Sequence, residues 1–235
     1  VSNDTGISAD RGTRLGSQAA YGAGDAARRE LFKLAAELLS WPEDRLRMDS
    51  DDVIRDDTGE SHPWRRLLER TGEPIVAYAD VQDAGPSGVT SFSAQIAEVA
   101  VDLETGEVQL VRLTTAHDTG RIINPLGHQG QINGGAVQGV GYGLMEELLL
   151  DGGRVSSPSF ADYKVPTIAD IPGLRTVLLE SDDGAGPVKV KSAGEIANAP
   201  TAPAIANAVA DAIGARIYDL PLTAERVYRA LQLRA

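Results

Sequence analysis

The chain has 235 residues, of which 42% are hydrophobic, so it can bury the core of one domain or of two coupled lobes. A formal net charge of -12 repels nucleic-acid phosphates and anionic lipid surfaces, so nucleic acid is not an expected partner. The absence of cysteine excludes disulfides, iron–sulfur ligation, thiolate metal sites and cysteine nucleophiles within these residues.

The first predicted element is a helix that begins at Asp25. Apolar residues recur there at helical spacing, at Ala27, Leu31, Leu34 and Leu38. Asp25 is placed to cap the N-terminus, and Pro42 lies beyond the end. The residues that follow, 43–73, are rich in charge and predict an irregular surface excursion with short pieces of structure.

Short β-branched runs at 74–81, 91–102 and 108–118 predict strands. The last two runs flank the turn "LETGE", which is typical of an antiparallel hairpin. Further on, "PTAPAIANAVADAIGA" has the helical period and ends at Gly214, and Thr223 is expected to cap a last helix. The mixture of strands and helices predicts an α+β fold.

The segment "GHQGQINGGAVQGVGYGLMEELLL" combines a helical pattern with many glycines. Each interior Gly costs about 1 kcal/mol relative to Ala, so another interaction must offset it. Helical spacing places Gln131, Gly135, Gln138 and Tyr142 on one face. Carboxamides offer donors and acceptors without charge, and Gly admits a flat ligand, so this face suits a polar heterocycle. The alternative is a small-residue stripe that packs against another element.

A single acidic residue, Glu195, lies in "VKVKSAGEIANAPTAPAIANAV", at a small-residue turn between a predicted Val/Lys strand and an apolar helix. By itself it could be an ordinary helix-start acid. The three histidines do not have the spacing of a metal site, so we expect no metal ligand in this chain. We also expect no membrane span and no signal peptide, and hence a cytoplasmic protein.

Several motifs in order carry a family resemblance. They are "GTRLGSQAAYGAGDA", "AHDTGRIINPLGHQGQINGGAVQGVGYGLMEELLL" with its continuation to "DYKVPTIADIP", and "KVKSAGEIANAPTAPAIANAVADAIGARIYDLPLT". This sequence resembles the C-terminal part of the molybdenum-binding subunit of the xanthine dehydrogenase and aldehyde oxidase family. The match is weakest at 43–73 and in "EIANAPT", where many members have "EPP". The resemblance implies that residues 1–235 form a cofactor-binding domain with mixed sheets and packed helices.

The resemblance also implies roles for particular residues. Glu195 falls at the position of the family's catalytic glutamate, and Gln131 falls where a glutamine meets the molybdenum cofactor. Gln138 is implied as a second contact or a support. The expected pterin-binding turn contains Gly16, Ser17 and Gln18, and the residues expected to line the approach to the glutamate are Lys191, Ala193 and Gly194. On this interpretation the glycine-containing helix face receives the pterin edge.

The chemistry implied by the resemblance is hydroxylation of an electron-poor C–H carbon, with water as the oxygen source. The glutamate removes a proton from a metal-bound hydroxyl, and the metal takes the electrons. Purines, N-heteroaromatics and aldehydes all fit as substrates. So does a reductive relative that acts on an aromatic thioester.

Complete family subunits are several times longer than this chain, which therefore resembles one piece of a split subunit or a fragment. The implied partners are an upstream molybdenum-binding chain, a [2Fe-2S] subunit and an FAD subunit. The molybdenum–pterin cofactor, as molybdopterin cytosine dinucleotide, would be shared with the upstream chain. Two alternatives stay open, a non-catalytic assembly subunit of such a complex and a flavin or nicotinamide enzyme unrelated to molybdenum.

Overall fold

The computed structural model describes residues 11–81 and 88–234. They divide into two compact units, an N-terminal unit within 12–85 and a C-terminal unit within 86–235. Among the described residues, no helix combines the length and apolarity that crossing a bilayer requires.

The N-terminal unit begins with a 29-residue helix, α1 (Arg11–Leu39). The predicted start at Asp25 is wrong, because Asp25 lies in the middle of this helix. Its carboxylate pairs with Arg28 at 2.5 Å and with Arg29 at 2.8 Å, three and four residues further on. The side chain that was read as a cap therefore stabilises the helix through neighbouring ion pairs. The helix ends before Pro42, as predicted.

Residues 43–73 are a folded part of this unit, so the prediction of short pieces of structure is confirmed and that of an irregular surface excursion is wrong. They form the antiparallel strands β1 (Leu46–Asp49), β2 (Asp52–Arg55) and β3 (Ser61–Pro63), followed by helix α2 (Trp64–Thr71). Buried residues of this segment pack on the apolar face of α1, and the cluster consists of Leu31, Ala35, Leu46, Val53 and Leu67. Each short strand carries few inward apolar residues, and the charged residues between them hid the pattern.

The C-terminal unit is built on a mixed three-stranded sheet. Strand β4 (Phe92–Val101) pairs antiparallel with β5 (Val108–Asp118), which confirms the predicted hairpin. Gly106 adopts φ 77° in the turn, a conformation that favours glycine. After the two-residue strands β6 (Leu150–Asp151) and β7 (Arg154–Val155), strand β8 (Gly173–Leu179) adds parallel to β5. The strand predicted at 74–81 is absent, since these described residues form no regular element.

Three helices complete this unit, α3 (Pro125–Leu144), α4 (Thr201–Ile213) and α5 (Ala224–Arg234). Gly214 ends α4 in a left-handed conformation with φ 66°, and Thr223 Oγ1 accepts the Arg226 N–H at 3.3 Å, so both end signals are confirmed. Helices α3 and α4 pack against each other and on the sheet. The shared core contains Leu110, Leu113, Ala136, Val140, Ile205, Val209, Ile213, Leu222 and Val227.

Candidate functional site

Glu195 begins a single 3-10 turn, Glu195–Ala197, and its side chain is exposed. The prediction of a strand before Glu195 is wrong. Residues 186–189 form a turn, and Val190 makes isolated bridges to Gly120 and Ala185. The carboxylate therefore projects from an irregular segment between the end of β8 and the start of α4. The backbone of such a segment has no regular helix or strand hydrogen bonds, so its position depends on contacts with neighbouring elements.

Side chains from one face of β4, and from Ser91 just before it, hold the carbonyl groups around Glu195. Ser91 Oγ donates to the carbonyl of Ser192 at 2.9 Å, and Ser93 Oγ donates to that of Ile196 at 3.2 Å. Gln95 Nε2 donates to the carbonyl of Ala197 at 2.7 Å. These three donors are spaced by two residues, so they share one side of the extended chain. The turn is thus bound on both sides of Glu195.

Helix α3 holds the other end of the turn. Tyr142 Oη donates to the carbonyl of Asn198 at 2.7 Å, and Asn198 Nδ2 donates to Gln138 Oε1 at 3.1 Å. Burial raises the pKa of the Tyr142 hydroxyl, so it remains a donor across the neutral range. Gln138 is exposed and supports the segment after Glu195 through this bond.

Three glycines of α3, Gly135, Gly139 and Gly143, serve packing against the Glu195 turn and α4. A Cβ at Gly135 would lie 2.7 Å from the Cβ of Ala197, and one at Gly143 would lie 3.2 Å from that of Ala202. Gly139 faces the side chain of Thr201 in the same way. The small-residue packing alternative is therefore confirmed for these three glycines, and Gly135 is covered by the Glu195 turn instead of being open to a ligand. The close approach brings the Glu195 turn onto α3.

The Lys191 side chain is buried in an ion pair that holds the segment before Glu195. Its ammonium donates to Asp118 Oδ2 at 2.7 Å, and 2% of its side chain is exposed. Ser181 Oγ and the Gly120 N–H donate to the other Asp118 oxygen at 2.8 Å and 3.3 Å. The hydrogen bond from Lys191 is the main cause that lowers the pKa of the Asp118 carboxyl. The pair fixes the segment before Glu195 to the end of β5, and Ala193 and Gly194 follow half-buried.

Gln131 lies one helical turn before Gly135, on the edge of α3 that packs against the Glu195 turn. Its side chain is exposed, and the neighbouring Gly134 has open space around it. A neutral amide beside an open glycine fits the hydrogen-bonding edge of a pterin. Among the described ranges, no group of three acidic or histidine side chains is arranged to hold a metal ion.

The remaining predicted cofactor residues lie in the N-terminal unit. Gly16, Ser17 and Gln18 are inside α1, so the expectation of a turn there is wrong. In a helix interior the backbone N–H groups bond within the helix, and Ser17 Oγ donates to the carbonyl of Arg14 at 3.0 Å. Contact with a ligand would have to come from side chains such as Gln18.

Residues that sequence reasoning missed are Ser91, Ser93, Gln95 and Asp118. The available signal was polar residues at alternate positions of a strand, in "SFSAQ", where a core-facing side is normally apolar. Ser93 and Gln95 occupy the inward positions of β4, while Phe92 and Ile96 are exposed. This inverted alternation marks the place where the sheet binds another backbone segment.

Comparison with known proteins gives consistent matches. Residues 1–172 match the molybdopterin cofactor-binding domain family. The chain is 34% identical over 187 residues to a putative xanthine dehydrogenase molybdenum-binding subunit of Escherichia coli K12, which covers 71% of this chain and 25% of that protein. It is 32% identical over 235 residues to a probable hypoxanthine oxidase of the same strain. That alignment covers 97% of this chain and 24% of the oxidase.

Among solved structures, quinoline 2-oxidoreductase from Pseudomonas putida 86 superposes with a TM-score of 0.80 and 26% identity, over 94% of this chain and 30% of that chain. The predicted α+β fold with mixed sheets and packed helices is confirmed. The chain spans about a quarter of the length of the curated relatives described above.

Proposed function

Because the chain belongs to the molybdopterin cofactor-binding domain family, we propose that it is the C-terminal portion of the molybdenum-binding subunit of a hydroxylase. The observation that carries this proposal is the exposed Glu195 carboxylate on a turn whose backbone is tied to β4 and α3. A mobile backbone would spread the carboxylate over many positions. A fixed one holds it where a proton can be transferred.

In this proposal Glu195 is the general base. Its carboxylate accepts the proton of the water-derived nucleophile as the oxygen attacks an electron-poor C–H carbon. The side chain is exposed in this chain, so the enclosure that excludes water must come from the larger part of the subunit. When bound, the molybdenum–pterin cofactor would supply the oxidation chemistry and receive the substrate's electrons.

Other residues of the chain would hold the cofactor and the base. The Gln131 carboxamide would hydrogen-bond to the pterin edge, and Gln138 would support the Glu195 turn through Asn198. Ser17 and Gln18 would offer polar side chains of α1 to the cofactor, and Gly16, which has no side chain, would leave space beside them. Ala193 and Gly194 would line the approach to the base, whereas Lys191, whose ammonium is buried against Asp118, would hold the segment before Glu195 in place instead of lining the approach.

The partners follow from the same proposal. An upstream molybdenum-binding chain would complete the cleft, and a [2Fe-2S] subunit and an FAD subunit would carry the electrons. The cofactor would be molybdopterin cytosine dinucleotide. The names of the relatives favour a small substrate with an electron-poor carbon, since two of them are named for xanthine or hypoxanthine and one for quinoline.

The test is the Glu195→Gln variant of the assembled protein. The amide has the same size but accepts no proton, so turnover should fall by about 10²- to 10⁴-fold while molybdenum and pterin content stay unchanged. Glu225→Gln is the matched control, because Glu225 lies exposed on α5 in an ion pair with Arg229. Full turnover by Glu195→Gln would remove this residue from the mechanism. An assembled protein without molybdenum would favour an assembly role, and a flavin spectrum of the chain alone would favour unrelated redox chemistry.

A further inference from the structure

We propose that Gln95 is a positioning residue for Glu195, acting as a clamp between β4, the Glu195 turn and the start of α4. This inference rests on the proposed function, since it concerns the placement of the proposed base. Gln95 itself lies half-buried on the inward side of β4 and acts through the backbone of the turn.

Both ends of the Gln95 amide are used. Nε2 donates to the carbonyl of Ala197 at 2.7 Å, and Oε1 accepts from Thr201 Oγ1 at 2.7 Å. The Thr201 oxygen also lies 3.1 Å from the Ala197 carbonyl oxygen. The Gln95 amide, the Thr201 hydroxyl and the Ala197 carbonyl are therefore all in contact with one another. A side chain with a donor and an acceptor on the same carbon satisfies both partners at once. At neutral pH, where a carboxyl group is ionised, the arrangement therefore favours a carboxamide at position 95.

The surroundings prevent Thr201 from moving away. Thr201 is fully buried as the first residue of α4, and Gly139 of α3 leaves the space that its side chain occupies. Because α3 and α4 are packed into the core, the hydroxyl offers Gln95 a fixed anchor. Gln95 then transmits this fixed position to Ala197, two residues after Glu195.

The expected consequence of losing the clamp is a wider spread of the Glu195 position. A misplacement of about 1 Å at a reacting group can cost about 100-fold in rate. Substrate binding depends on other surfaces, so kcat should respond and KM should not. This division between kcat and KM separates positioning from a general loss of fold, which would lower the molybdenum content and all activity together.

The first experiment uses Gln95→Met in the assembled protein. Methionine has a similar length but neither donor nor acceptor. We expect kcat to fall by about 10- to 100-fold, KM to change by less than about 3-fold, and molybdenum content to stay constant. Hydrogen exchange of the peptide covering residues 195–204 should become about five- to tenfold faster, because this peptide loses two hydrogen bonds, one at the Ala197 carbonyl and one at the Thr201 hydroxyl. The control is Gln109→Met, at an exposed position on β5.

The second experiment uses Gln95→Glu and the pH profile. An ionised carboxylate accepts from Thr201 but repels the Ala197 carbonyl, whereas a protonated carboxyl can donate to it as the amide does. The ratio of variant kcat to wild-type kcat should therefore rise as the pH is lowered. The titratable groups around the clamp are Glu195, His117 on β5 and Tyr142 on α3. The wild type and the Gln95→Glu variant both contain them. The ratio for Gln95→Met should not depend on pH.

Unchanged kcat in Gln95→Met, or unchanged exchange of residues 195–204, would overturn the inference. A parallel rise of KM, or a pH-independent ratio for Gln95→Glu, would also overturn it. These results are distinct from a failure of the proposed function. If Glu195→Gln is inactive while Gln95→Met is fully active, the base is retained and the clamp is rejected. If Glu195→Gln is fully active, the proposed function fails and the positioning role fails with it.

Discussion

The Lys191 ammonium lies 2.7 Å from Asp118 Oδ2, with 2% of the lysine side chain and 21% of the aspartate side chain exposed. This pair joins the segment that leads to Glu195 to the last residue of β5. A charge removed from water to this degree depends on its partner, because an unpaired buried ammonium is costly. The contact is therefore of a different kind from the exposed ion pairs of the chain.

Asp118→Asn should destabilise the chain by about 2–3 kcal/mol, because the buried ammonium loses its counter-charge and keeps only a neutral acceptor. The measurement is the free energy of unfolding in urea at pH 7. The matched control is Glu98→Gln, which breaks an exposed pair with Arg112 and should cost less than about 1 kcal/mol. Equal effects of the two substitutions would show that the Lys191 pair is no stronger than a surface contact.

The glycine stripe of α3 offers a pair of matched substitutions. Gly139→Ala directs a methyl group into Thr201, so we expect a loss of about 1–3 kcal/mol from overpacking. Gly134→Ala, on the same helix, meets open space and should stabilise the helix by about 0.5–1 kcal/mol. Thermal or urea unfolding of both variants measures the difference. A stabilising Gly139→Ala would contradict the packing role of the stripe.

The sequence was most informative where periodicity was strong over many residues. The β4–β5 hairpin and helices α4 and α5 were predicted with their end signals, because alternation or helical spacing continued up to a Gly or Thr. Strand β8 was missed, since it is added parallel to β5 after a long connection and "GLRTVLLE" contains no turn that pairs it locally. Tertiary contacts decide such a pairing.

The candidate site was only partly predictable. Glu195 and Gln131 are predicted from motifs, but the contacts that hold the turn come from residues about 100 positions earlier in the chain, as in the bond from Gln95 to Ala197. Local patterns do not reveal such pairs. The strand predicted before Glu195 is a turn with Lys189 at φ 54°, which Val/Lys composition does not signal.

His117 should make the stability of the chain sensitive to pH. Burial, with a smaller contribution from the nearby His128, lowers the pKa of His117 below its ordinary value of 6.5. The unfolded state therefore binds more protons as the pH falls through about 6.5, and stability decreases from there downward. We expect a lower free energy of unfolding at pH 5.5 than at pH 7.5, and a smaller difference in His117→Gln. A variant whose stability falls as steeply as that of the wild type would contradict this assignment.

Leu67 tests whether residues 43–73 form a folded part of the N-terminal unit. Its side chain is fully buried against the α1 face that contains Leu31 and Ala35. Leu67→Ala removes several buried methyl and methylene groups and leaves a cavity, so the unit should lose about 2–5 kcal/mol. Proteolysis under native conditions is the measurement, with cleavage within 43–73 expected to be much faster in the variant because the unit opens more often. Val76→Ala is the control, since 63% of Val76 is exposed and its truncation should leave the cleavage rate unchanged. If the wild type were cleaved there as quickly as Leu67→Ala, the segment would be the irregular excursion that its charge suggested.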